Sequence, residues 1–217
     1  SMRIEIFSDV ICPWCFIGKR RFETAISRLR DRGVDVQVDY VFRPFQLDPT
    51  APTDSSTPSK DAYAKKFGGV EKATEILNHV TSVAAQDNIT FNMDIAVRAN
   101  TFLAHRLLSY ALKQHGANIQ ILLKELLMDA YFTNGKNIGD VEVLADCAES
   151  AGISRQDALV FLQGDDLADE VRAEIAEAAE YGVTAVPTFI INGQWSVPGA
   201  QDVDMFERII ERILERA

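Results

Sequence analysis

The chain has 217 residues, 47% of them apolar and 25% charged, with 32 acidic side chains against 22 basic ones and a formal net charge of −10. That length buries a sizeable core, as one domain or two small ones. The negative field repels phosphate backbones and anionic lipid, so neither nucleic acid nor a membrane surface is an expected partner.

Arg3 to Ser8 reads as a strand, with Ile4 and Ile6 on one face and Phe7 on the other. Cys12-Pro13-Trp14-Cys15 comes next, and a helix runs from about Pro13 to Arg30. Proline suits a first helical turn, where its missing N–H costs nothing. Phe16, Ile17, Phe22, Ala25, Ile26 and Leu29 form the apolar side of that helix, and Gly33 stops it. Val34 to Phe42 alternates apolar and polar, the pattern of a strand with one wet face at a sheet edge. Pro44 to Pro58 holds four prolines and reads as loop. Helical periodicity follows, first in the stripe Ala73, Ile76, Leu77, Val80, Val83 and Ala84. Further helices are predicted over Asn100 to Gln114 and Ile119 to Phe132. Asp140 caps another, and Ser154 with Asp157 forms a capping box for the next. A polar helix spans about Asp165 to Tyr181. Thr188 to Asn192 is a short apolar strand, Asn192-Gly193 a hairpin turn, and Trp195 to Val197 the returning strand. Asp202 opens a last amphipathic helix through Phe206, Ile210 and Ile213.

The element order is thus βαβ, a block of helices, then ββα. The outer pieces assemble into an α/β architecture with one mixed four-stranded sheet, its first and third strands central. That is a thioredoxin fold, built from residues 1–58 and 165–217 and interrupted by an all-helical insertion over 59–164.

Two thiols two residues apart at a strand-to-helix junction can act as one redox couple. A helix N-terminus offers unpaired N–H groups and partial positive charge, which favour a thiolate. Cys12, nearest that terminus, is expected to be the more exposed sulfur and the nucleophile. Cys15 is expected to be the buried resolving thiol, with exchange passing through a mixed disulfide. A CxxC can also be half a zinc site, but no second CxxC or Cys/His pair stands at ligand spacing, so no metal is expected. Pro13 and Trp14 would tune the couple. Asp9, Lys19, Arg20 and Arg21 read as solvated surface charges. Cys147, in helical step with Leu144, Ala148 and Ala151, reads as an inert core thiol. His79, His105 and His115 show no ligand spacing. Phe45, Phe91, Asn100 and His105 are candidates to line a cleft beside the cysteines.

No uncharged apolar run approaches the roughly 18 residues of a membrane span. The start, Met2-Arg3-Ile4-Glu5-Ile6, lacks the regions of a secretory signal. Ser1 reads as a residue left by tag removal and Met2 as a natural start, so a cytoplasmic location is expected. Only three cysteines are present, an economy that fits a reducing compartment, where a close pair points to catalysis rather than a structural staple.

Four stretches carry a resemblance. They are Phe7 to Cys15 (FSDVICPWC), Arg43 to Pro49 (RPFQLDP), Asn100 to Leu107 (NTFLAHRL) and Gly182 to Phe189 (GVTAVPTF). Together they resemble the DsbA-like branch of the thioredoxin superfamily, and within it the FrnE-type cytoplasmic disulfide oxidoreductases, over nearly the whole chain. The resemblance implies thiol–disulfide exchange on protein or peptide substrates, with a redox-active disulfide Cys12–Cys15 and no required cofactor. It also implies glutathione as reductant or ligand. A cis bond between Val186 and Pro187 is implied, facing the cysteines and presenting Val186, Pro187 and Thr188 to an extended substrate. The same branch holds kappa-class glutathione transferases and 2-hydroxychromene-2-carboxylate isomerases. They share the helical insertion and the Asn-Thr helix start but typically carry serine at the nucleophile position. A glutathione-dependent transferase or isomerase is therefore the alternative, and a non-catalytic chaperone a third reading.

Overall fold

A computed structural model describes residues 1–216. Strand β1 (Met2–Ser8) buries Met2, Ile4 and Ile6 on one side and Phe7 on the other. Helix α1 (Pro13–Asp31) follows, with Pro13 at its first position. Gly33 turns the chain at φ +83, and the Val34 N–H returns to the Leu29 carbonyl at 3.0 Å. Strand β2 (Val38–Pro44) lies parallel to β1, in register from Met2 opposite Val38 to Ser8 opposite Pro44. It starts four residues later than the alternation predicts. The cause is Arg30, whose guanidinium takes the Val36 carbonyl at 3.1 and 3.0 Å and holds that stretch as an extended link.

Between β2 and residue 168 stand a ribbon of two-residue strands, β3 (Thr57–Pro58) with β4 (Val97–Arg98), and six helices. These are α2 (Ser59–Phe67), α3 (Val70–Gln86), α4 (Phe102–His115), α5 (Ala117–Phe132), α6 (Val141–Ser150) and α7 (Arg155–Gln163). The long helical period after the proline-rich loop splits into α2 and α3 because Gly68 and Gly69 both take positive φ, +88 and +126. Asp140 and Ser154 cap α6 and α7 through their side chains, accepting from Glu142 N at 2.9 Å and Asp157 N at 3.3 Å.

Helix α8 (Ala168–Glu180), strands β5 (Thr188–Ile191) and β6 (Trp195–Pro198) and helix α9 (Val203–Arg216) complete the fold. Asn192 and Gly193, at φ +52 and +67, form the tight turn between the last two strands. The main sheet has the order β2-β1-β5-β6, with β1 and β5 central as expected. Ile4, Ile6, Phe189 and Ile191 meet Phe22, Ile26, Phe206 and Ile210 of α1 and α9 on one face. On the opposite face Phe7 and Ile190 meet Ala178 of α8 and Val183. Arg43 ties that second face together, pairing with Glu5, Glu174 and Glu177 and lying over the Phe7 ring.

The helical block is welded to the sheet. The core around α3 to α7 runs without a break into Val10, Ile11, Cys15, Phe16 and Ile17. At the exposed edge, Gln120 of α5 acts as a substitute strand. Its Oε1 accepts from Phe42 N at 2.8 Å, and its Nε2 donates to Phe42 O at 3.0 Å and Leu108 O at 3.2 Å. An edge strand needs such cover to avoid unpaired backbone groups. Among the described residues no helix is long and apolar enough to cross a membrane.

Gln120→Ala strands both backbone groups of Phe42, while the Leu108 carbonyl keeps its helix bond in α4. Each stranded group costs roughly 1–3 kcal/mol when left unpaired, so urea unfolding is expected to show a loss of about 2 kcal/mol or more.

Candidate active site

The segment from Ser8 to Ile11 is buried and delivers Cys12 to the N-cap of α1, at φ −90 and ψ 118. The Cys12 carbonyl accepts from Cys15 N at 3.1 Å and Phe16 N at 3.4 Å, which sets the two side chains one turn apart. Both are free thiols here. Cys12 Sγ donates to the Val186 carbonyl at 3.7 Å. The Val186–Pro187 bond is cis, and Pro187 is buried against α1. Thr188 Oγ1 closes the turn on Ala185 O at 2.7 Å. The structure thus gathers Cys12, Cys15, Val186, Pro187 and Thr188 in one place.

Gly18 makes that close approach feasible. A Cβ built there would sit 2.9 Å from Pro187 Cγ and 3.3 Å from Ala200 Cβ. No side chain fits between α1 and the prolyl loop.

The expected exposure of Cys12 is not observed. Both cysteines are buried, Cys12 at 3% and Cys15 at 1% exposure. Electrostatic support also lies elsewhere than expected. The Cys12 thiol is pushed well up, first because its proton is shared with Cys15, then by burial and by negative charge at Cys15 and Asp9. Cys15 is held below the ordinary thiol range. Burial opposes its anion, but the hydrogen bond from Cys12, the Lys124 ammonium, the Ser8 hydroxyl and the Asp9 backbone outweigh that. The first proton therefore leaves from the pair as a unit.

The charges read as solvated surface are mostly not solvated. Asp9 is fully buried; its carboxylate accepts from Val10 N at 2.8 Å, Leu47 N at 2.9 Å and His105 Nε2 at 2.9 Å. Burial works against its ionised form, and the His105 hydrogen bond and charge lead the effects that overcome it and lower its pKa. Lys19 is 3% exposed and pairs with Glu23 at 3.0 Å and Glu125 at 2.6 Å. Arg20 pairs with Glu125 at 2.9 Å and Arg21 with Asp87 at 2.9 Å, so α1 is strapped to the helical block by ion pairs.

The four residues proposed for one cleft do not share one. Phe45 packs on the Phe7 and Val183 cluster. Phe91 stacks on Phe132 at 4.5 Å, inside the helical core. Asn100 binds Phe102 N at the start of α4 and the Ala51 carbonyl. His105 alone belongs to the site, through Asp9. Pro13 is buried, while Trp14 is half-buried with its ring 6.3 Å from that of His79. Cys147 lies apart on α6, its thiol pushed up to about 11 by burial; its Sγ is 3.9 Å from Leu126 O.

Two neighbours were not foreseen. Tyr63 of α2 packs in the core that holds Cys12. Lys124 of α5 is fully buried, its Nζ has no hydrogen-bond partner among the described residues, and it sits 5.4 Å above the Phe42 ring. Burial depresses its pKa to about 8, with Cys15, Asp9 and Cys12 pulling the other way. A signal existed in the sequence, because Lys124 falls within the buried stripe of Gln120, Leu123, Leu127 and Met128.

Comparison with known proteins places this geometry among relatives. Residues 3–211 match the DSBA-like thioredoxin domain. The uncharacterized protein YwbO of Bacillus subtilis (strain 168) is 30% identical over 214 residues, 97% of this chain and 96% of that protein. The probable DsbA oxidoreductase SCO1869 of Streptomyces coelicolor superposes with a TM-score of 0.90 at 30% identity, covering 100% of this chain and 92% of that one. The cytosolic disulfide reductase DsbM of Pseudomonas aeruginosa shares the fold at 14% identity and a TM-score of 0.69, covering 99% and 100% of the two chains. A further structure of DsbM contains GSH.

Gly18→Ala forces Pro187 away from α1. Overpacking of this kind costs about 1–3 kcal/mol, which a thermal melt will register alongside a loss of any thiol-exchange activity. Lys124→Met is expected to do the opposite. The unfolded lysine stays protonated up to about 10.5 and the folded one only to about 8, so wild-type stability rises with pH across that window. At pH 7 the methionine variant gains about 3 kcal/mol, at roughly 1.4 kcal/mol per pKa unit. The gain fades above pH 10.5; denaturant titrations at pH 7 and at pH 10.5 check the sign.

Proposed function

The chain belongs to the DSBA-like thioredoxin domain family, and on that premise we propose that it is a thiol–disulfide oxidoreductase acting on protein or peptide disulfides through Cys12 and Cys15. The observation that carries this reading is the pair of free thiols one turn apart at the N-terminus of α1, with Cys12 Sγ against the carbonyl of Val186, the residue before the cis-proline. Two adjacent thiols titrate as a unit, and the thiolate that the pair yields is the attacking species. With that charge on Cys12, exchange begins there.

In the reducing direction, the Cys12 thiolate attacks a substrate disulfide, forms a mixed disulfide and expels one substrate thiolate. Cys15 then gives up its proton, attacks Cys12 Sγ and releases the second thiol, leaving Cys12–Cys15 oxidised. The oxidising direction is the same path reversed. The chemistry requires no cofactor beyond the cysteine pair, and glutathione serves as a reductant or ligand. Thr184 and Ala185, exposed just before Val186, give an extended peptide access to main-chain hydrogen bonds at this edge. Pro13 and Trp14 tune the couple. Both thiols are buried, so a substrate gains access by displacing part of their cover, which includes Tyr63 of α2. This reading keeps residues 1–58 and 165–217 as the thioredoxin-like part and 59–164 as the insertion that supplies the cover. A cytoplasmic location accompanies it, supported by the sparse cysteines and by the cytosolic DsbM among its structural neighbours.

The insulin-disulfide reduction assay tests the proposal. Wild type is expected to turn over with dithiothreitol or glutathione, and Cys12→Ala to fall to background. Cys15→Ala is expected to trap a mixed disulfide on Cys12, visible by mass spectrometry of the intact protein. Turnover that survives Cys12→Ala would remove the reading.

A further inference from the structure

One arginine is treated unlike the rest. Arg20, Arg21, Arg43, Arg106 and Arg155 are buried or half-buried, and each has a carboxylate or a backbone carbonyl for its guanidinium. Arg98 of β4 is half-buried too, yet it has no ion pair and no carbonyl among the described residues, and its Nε is enclosed without a partner. Its cation lies over the Tyr63 ring, 5.5 Å from the centroid. Its other polar neighbours are Asp48, whose carboxylate is beyond ion-pair distance, and the Tyr131 phenol, already shared with Ser59 Oγ at 2.5 Å. A guanidinium withdrawn from water without an anion is costly. Stacking on a ring leaves its in-plane N–H donors uncommitted, and their forked geometry matches a carboxylate.

This cation borders the cysteine turn. Tyr63, under the guanidinium, packs in the core that holds Cys12 and feels the charge of that sulfur. Just after Arg98, Asn100 and Thr101 take a hydrogen bond from Gln46 at 3.3 and 3.4 Å. The next residue, Leu47, donates to Asp9 at 2.9 Å, at the approach to Cys12. Both sulfurs are enclosed, which favours a small reactant over a bulky one. A net charge of −10 repels an anionic reactant from the chain as a whole, so a local unpaired cation is what admits one.

Resting on the oxidoreductase reading above, we propose that Arg98 is a carboxylate-binding residue of the cysteine site, and that the co-reactant it admits is a small acidic thiol of the glutathione type. The exchange balances. A small thiolate, its carboxylate held by Arg98, attacks Cys12 Sγ of the Cys12–Cys15 disulfide; that S–S bond breaks, a mixed disulfide forms, and Cys15 leaves as a thiolate that takes up a proton. A second small thiolate attacks the sulfur of the first, and Cys12 is released. Two small thiols lose two electrons and leave as one disulfide, and the cysteine pair gains the electrons and the two protons.

The test is the rate at which oxidised protein is reduced by N-acetylcysteine, whose only charge besides the thiolate is a carboxylate, and by its uncharged amide, each corrected for its thiolate fraction. Arg98→Gln is expected to slow the acid tenfold or more, the equivalent of about 1.4 kcal/mol, and to leave the amide within about twofold of wild type. A variant that slows both alike, or neither, overturns the proposal. A third arm compares a cysteine peptide carrying a neighbouring glutamate with its glutamine form. Slowing confined to the glutamate peptide moves the carboxylate to a protein substrate and overturns the assignment to a small thiol. Should Arg98→Gln not fold, wild type is assayed alone. The acid is then expected to react about threefold faster than the amide or better, against the repulsion of a negative chain; an equal or slower rate overturns the proposal. If wild type forms no Cys12–Cys15 disulfide, or none of these thiols reduces it, the oxidoreductase reading fails instead, and this inference with it.

Discussion

The carboxylate of Asp9 is the joint on which the site is assembled. One of its oxygens accepts from Val10 N at the approach to α1 and from His105 Nε2 in the helical block, and the other from Leu47 N in the loop after β2. An ionised carboxylate taken out of water costs several kcal/mol, and only well-directed donors offset it. Three donors from three different parts of the chain therefore converge on it, and their convergence fixes where α1 begins. Because α1 begins at Cys12, the same joint fixes the thiols.

Around that joint the molecule spends polar groups where most cores use none. Gln120 closes the sheet edge with a side-chain amide, and Lys19, Arg20 and Arg21 strap α1 to α5 and to the link after α3 by ion pairs and a hydrogen bond. Each such group is expensive unless fully paired. Lys124 breaks the rule: its Nζ has no hydrogen-bond partner among the described residues and lies over the Phe42 ring. The helical block is accordingly more than a lid. It shares a continuous core with the cysteine turn and contributes the groups, His105 and Lys124, that set the electrostatics beneath it.

Much of this was legible in the chain itself. Alternation in Arg3 to Ser8, the proline after Cys12, the two caps at Asp140 and Ser154 and the Asn192-Gly193 turn are local signals, and each produced the element they predict. Two local misreadings have local causes. Residues 34–37 alternate like a strand, but Arg30 claims the backbone there. The helix after residue 58 splits at two glycines that periodicity alone overlooks.

The misjudged charges differ in kind. Asp9 and Lys19 are read as wet because burial of a carboxylate or ammonium is rare, and nothing within a few residues reveals the partners. His105 is 96 positions from Asp9, and Glu125 is 106 from Lys19. The sequence by itself determined the order of elements, the thiol pair and its seat at a helix start, because those follow from side-chain period, backbone propensity and spacing along a few turns. Only the tertiary structure decided that both sulfurs are enclosed, that Asp9 is a buried joint and that Lys124 is buried without a hydrogen-bond partner among the described residues. Desolvation and Coulomb energy depend on distance through space, and the residues that set them meet only when the chain is folded.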